Sequence, residues 1–105
     1  VAEIHPLHIK STTPGMVWRI GSNKQPGKPA RVSAYEGRDT GEGLGGWSCD
    51  LMNCRKFHRE VDGSRATRRA LTDAVRLLLL EMHATGAINP WDAIPAPGLV
   101  SLATA

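Results

Sequence analysis

Residues 64–86 read SRATRRALTDAVRLLLLEMHATG, and the spacing of their apolar side chains decides the fold. At about 100° per residue, Thr67, Leu71, Ala74, Val75, Leu78 and Met82 fall on one face, the pattern of a helix that covers a core. Asp62-Gly63-Ser64 supplies capping oxygens ahead of it, and Gly86 suits the left-handed position beyond its end. The spacing predicts a helix from about Ser64 to Thr85.

The sequence before this stretch alternates as half-buried strands do. In Met16–Ser22, Met16, Trp18 and Ile20 share one side, with Val17 and Arg19 on the other. Residues 23–29 (NKQPGKP) then turn the chain, and Arg31–Glu36 resumes the alternation with Val32 and Ala34 opposite Arg31, Ser33 and Tyr35. Trp47, Cys49 and Leu51 alternate with Ser48, Asp50 and Met52, and Arg55–Val61 is predicted to pair back on that strand with Phe57 and Val61 inward. Residues 3–10 add an edge strand, the position that tolerates Pro6. The expected fold is α+β: an antiparallel sheet of four or five strands with one long C-terminal amphipathic helix packed on one face. A chain of 105 residues has room for one core, expected over residues 1–94, with a flexible tail over 95–105. Ile88–Trp91 reads as a turn that returns Trp91 to that core. Gly37–Gly46 holds five glycines but lacks the Lys-Ser/Thr ending of a phosphate loop, so it reads as a plain loop.

The longest apolar run is Leu77–Leu80, far short of the roughly 18–20 residues a membrane helix needs. The first ten residues, VAEIHPLHIK, lack the basic-then-apolar layout of a secretory signal. The expectation is a cytoplasmic protein with no membrane partner and with Cys49 and Cys54 reduced. Cys49, Cys54 and His58 are spaced C-x4-C-x3-H, with His5 or His8 as conceivable fourth ligands. That spacing matches neither a zinc knuckle nor a ribbon, so no metal and no cofactor are expected. Asp50, Cys54 and His58 are the nearest approach to a nucleophile, base and orienting acid, and the scattered carboxylates suggest no acid–base pair. An enzyme is not expected.

Charge carries more information. The formal net charge is +3, yet Arg55, Lys56, Arg59, Arg65, Arg68 and Arg69 are concentrated within fifteen residues against only Glu60 and Asp62. Arg65, Arg69, Arg76 and His83 share one sector of the predicted helix. Cations in the first turns of a helix oppose its dipole by a few tenths of a kcal/mol each, so an anionic partner is the natural counterpart. Arg55, Lys56, Arg59, Arg65, Arg68, Arg69 and Arg76 are therefore the candidate contacts to nucleic acid or to an acidic protein surface. Tyr35 shares the outward face with Arg31 and Ser33, with Arg19 a candidate to join them, and is a ring among cations of the kind that stacks on unpaired bases. A separate sector holds Ala66, Ala70, Leu77 and Ala84, with Leu80 also outside the core face, and it is the candidate homodimer interface. Two functions follow: a small non-catalytic nucleic-acid-binding protein that uses the basic strand-turn-helix segment for phosphate contacts, or a protein-binding accessory or inhibitor module, for example from a mobile element, acting through the basic face or the exposed leucines.

Overall fold

The computed structural model describes residues 2–23, 26–40, 47–50, 52–61, 67–89 and 100–102. Along the chain these form β1 (Ala2–Ile4), β2 (Leu7–Lys10), β3 (Met16–Asn23), β4 (Arg31–Asp39), β5 (Trp47–Ser48), β6 (Lys56–Glu60), α1 (Arg68–Ala84) and β7 (Val100–Leu102). The fold is α+β, an antiparallel sheet with one helix over one of its faces.

The two alternating segments pair as the sequence predicts. β3 runs antiparallel to β4, with Trp18 opposite Glu36 and Ile20 opposite Ala34. β2 flanks β3, placing Leu7 opposite Ile20 and Ile9 opposite Trp18. Because side chains alternate across a strand, Ile9, Trp18, Ile20, Val32 and Ala34 all point to one face. All five are buried.

The other edge of β4 differs from expectation. β6 pairs with β4, from Tyr35 opposite Lys56 to Arg31 opposite Glu60, and β5 pairs with the same edge further along, at Arg38 and Asp39. β5 and β6 are thus two pieces of one edge strand rather than partners in a hairpin. Asp50 explains the interruption. Its carbonyl accepts from the backbone N–H of Asn53 and Cys54, and its carboxylate accepts from the Met52 N–H and the Asn53 amide. That self-contained turn loops out of the sheet, and pairing resumes where the Glu36 N–H donates to the Arg55 carbonyl at 3.0 Å.

The first strand also divides. The chain breaks at His5-Pro6, where proline has no N–H to give a ladder. β1 leaves the main sheet to pair with β7, Glu3 opposite Ser101. Residues 100–102, inside the segment read as a tail, are therefore a strand.

The helix has 17 residues and begins later than Ser64. Thr67 is its cap, with its hydroxyl accepting from the Ala70 N–H at 3.1 Å. The cap predicted at Asp62-Gly63-Ser64, together with Arg65, Ala66 and Trp91, lies outside the described residues. Leu71, Ala74, Val75, Leu78, Leu79 and Met82 are buried against the sheet, while Arg68, Arg69, Asp73, Arg76, Leu80, Glu81 and His83 are exposed. The end is a Schellman arrangement, in which the Gly86 N–H donates to His83 and the Ala87 N–H to Met82, with Gly86 at φ +77°. This turn delivers the Ala87 carbonyl to the Trp18 indole, whose Nε1–H donates to it at 3.0 Å, and seats Ile88 in the core.

Candidate functional site

With α1 over one face of the sheet, strand alternation sends a second set of residues to the other face. Among the described residues no helix packs across that face. Three registers place four of its side chains in a single cross-sheet row: His8 opposite Arg19, Arg19 opposite Tyr35, and Tyr35 opposite Lys56. Neighbouring strands lie about 4.8 Å apart, so the row spans roughly 14 Å. A cation or imidazole stands on every strand except the one that carries the ring.

The adjoining row runs Lys10, Val17, Gly37. Over Gly37 lies the indole of Trp47. A Cβ at residue 37 would fall 2.6 Å from that ring and 2.5 Å from the Ser48 carbonyl, so only glycine lets the indole lie flat there. The Trp47 Nε1–H donates to the Val17 carbonyl at 2.9 Å, fixing the ring across two strands. The Arg19 guanidinium sits 5.6 Å from the ring centroid, and the His8 imidazole stacks beside it at 6.4 Å and 29°. On the far side of the central row, His58 faces Ser33 and Glu60 faces Arg31. The face therefore carries Lys10, Arg19, Arg31 and Lys56 against Asp39 and Glu60, a cationic surface. Burial, then the nearby Arg19 charge, hold His8 below its ordinary pKa, while Asp39 acts the other way.

Of the seven cations singled out in the sequence, Arg65 lies outside the described residues, and the other six are divided among different parts of the surface. Lys56 joins the open-face row. Arg55 is occupied at the opposite end of the molecule's chemistry: its Nε and Nη2 donate to the two carboxylate oxygens of buried Glu36 at 2.9 and 2.7 Å, and its guanidinium lies 5.3 Å over the Trp18 ring. Ser11 and Thr13 complete this cluster, Ser11 donating to Glu36 and Thr13 accepting from Arg55. The Arg55 hydrogen bond holds the Glu36 carboxyl below its ordinary range against the opposing effect of burial. Arg59, three residues from Lys56 and so on the other side of β6, points toward the helix and reaches Glu81 at 4.0 Å. Arg68, Arg69 and Arg76 are exposed on α1, across the sheet from Lys56.

Leu77 and Leu80 are 45% and 62% exposed, Ala84 is exposed and Ala70 is half-buried. Burial, then the neighbouring Cys54 thiol, push the Cys49 thiol up to about 12, leaving it protonated at neutral pH. Among the described residues, no three His, Cys, Asp or Glu side chains converge as metal ligands would. Asp50 is engaged in its turn, and His58 stands opposite Ser33 on the open face.

Sequence reading found Tyr35, Arg31 and Arg19 on the outward face but missed Trp47, His8 and Lys10. The alternation of Leu7 and Ile9 with His8 and Lys10 held the signal for the last two. The seat of Trp47 depends on Gly37, ten residues away, and no local pattern reports it. No protein-family model matches the chain, and neither a curated protein nor a solved structure matches it.

Proposed function

We propose that the protein is a small non-catalytic nucleic-acid-binding protein. The observation that carries this reading is the cross-sheet row of His8, Arg19, Tyr35 and Lys56, bordered by Trp47 and Lys10 on a face the helix leaves uncovered. Cations in a row match a phosphate backbone, and the rings among them match bases. Arg68, Arg69 and Arg76 form a second cationic surface on the helix, two of them in a first turn that contains no acidic residue. Oligonucleotide affinity measured across salt concentrations tests the proposal. Affinity should fall linearly on a log–log plot, and replacing Arg19 and Lys56 with alanine should flatten the slope by about 1.4, at roughly 0.7 per phosphate on a single strand. Absence of affinity at low salt would refute it.

Leu77 and Leu80 favour a second reading, contact with a protein or with another copy of this chain, because both are large, apolar and exposed on one side of α1. On that reading Leu80→Glu remains folded, since Leu80 lies outside the core, and shifts sedimentation from dimer to monomer. A wild-type monomer at high micromolar concentration would contradict self-association.

A further inference from the structure

We propose that the open sheet face is a single-strand site, at which an unpaired base stacks on Tyr35 while Arg19 and Lys56 hold the phosphates on either side. This rests on the nucleic-acid reading above and narrows it to one class of ligand. Three features of the face carry the inference.

First, the ring is flanked in register. Arg19 and Lys56 are the direct cross-strand neighbours of Tyr35, each one strand spacing away. A cation, a ring and a cation in line match a backbone that passes over a splayed base, with charge on both sides and a π surface between. Second, the floor is shallow. Ser33 follows Tyr35 along β4 on this face and Gly21 lies diagonal to it, while the Trp47 indole over Gly37 bounds the other side, so a planar base can approach over the small residues and lie against that ring. Third, among the described residues no helix stands on this face to enter a groove. Reading duplex DNA takes a helix or a two-stranded ribbon inserted in the major groove, and α1 lies on the opposite side of the sheet. A paired base keeps its π faces inside the stack, where Tyr35 cannot reach them.

Trp47 acts here as a positioning residue. Its indole is pinned by Gly37 and the Val17 carbonyl, and it holds the Arg19 guanidinium over its ring. A cation fixed this way loses less freedom on meeting a phosphate than a free side chain does.

The experiment measures anisotropy of three labelled probes with the full chain at one salt concentration: a twelve-residue oligothymidine, a duplex of the same length, and polyglutamate of similar charge. The single strand should bind at least tenfold more tightly than the duplex or the polyglutamate. Tyr35→Leu, which keeps apolar bulk on the half-buried position but removes the π surface, should lose roughly tenfold on the single strand and little on the duplex. Tyr35→Phe should bind as wild type does, because stacking needs no hydroxyl. Equal affinity for duplex and single strand, unchanged by Tyr35→Leu, would overturn the single-strand site and leave the broader nucleic-acid reading intact. Tight polyglutamate binding with no oligonucleotide binding would overturn both in favour of an acidic protein partner.

Discussion

Replacing Arg55 with alanine should lower the unfolding free energy by about 3 kcal/mol, the lower end of what breaking a buried ion pair costs. The asymmetry of the pair sets this value. The Glu36 side chain is 6% exposed and the Arg55 side chain 49%, so removing the arginine leaves a carboxylate sealed at the end of the core while the arginine itself was half solvated. Ser11 remains as a donor, which is insufficient for two carboxylate oxygens. For a domain of this size, the loss corresponds to a drop of roughly 10–20 °C in thermal midpoint. The pH dependence identifies the cause. In the wild-type protein Glu36 has a lowered pKa, so its contribution is present above the ordinary glutamate value of 4.5 and is lost as pH falls through the lower folded value. In the variant the stranded carboxylate takes up a proton more readily, and its penalty fades as it does. The gap between the two proteins, measured by urea unfolding, should be widest near neutral pH and narrow toward pH 4. A gap independent of pH would mean that Arg55 acts only through its packing on Trp18.

Trp18→Ala should cost about 3–5 kcal/mol, a large part of the total stability of a small domain. Trp18 has no exposed surface and joins three parts of the structure. Its ring meets Phe57 at 5.3 Å, its Nε1–H holds the segment beyond the helix through Ala87, and Arg55 lies across its face. Trp18→Phe separates these roles, because it keeps an aromatic ring and removes the indole donor. Its cost should include about 1 kcal/mol for the Ala87 hydrogen bond, added to a smaller volume term. Leu80→Ala provides the contrast and should stay within about 0.5 kcal/mol. Urea midpoints for the three variants check the order, and a Trp18→Ala protein as stable as Leu80→Ala would contradict this core.

The helix and the inner face of the sheet were legible because both depend on short-range periodicity. Leu71, Ala74, Val75, Leu78 and Met82 repeat at helical spacing, and Trp18, Ile20, Val32 and Ala34 repeat at strand spacing. Leu79 joins them in the core, where a sheet on one side and β1 and β7 nearby cover more of the helix than one stripe. The cap at Thr67 was hidden by a stronger local capping sequence three residues earlier. The division of one edge strand into β5 and β6 was hidden for a similar reason. Both pieces alternate correctly, and only the Asp50 turn reveals that they pair with β4 instead of each other.

The candidate surface was half legible. Charge density along the chain drew attention to residues 55–69, but a strand distributes consecutive residues to opposite faces. Lys56 went to the open face, Arg59 to the helix side, and Arg55 to Glu36. Tyr35 carried the better signal, because its neighbours on the face are set by register and not by sequence distance.

A two-dimensional amide and indole NMR titration of the full chain with a single-stranded oligonucleotide shows whether the open sheet face takes the strand. The largest shifts are expected at Arg19, Tyr35 and Lys56 and at the Trp47 indole N–H, with Leu71, Leu78 and the Trp18 indole unmoved. Shifts confined to Arg68, Arg69 and Arg76 on the helix, or no shifts at all, would contradict binding at that face.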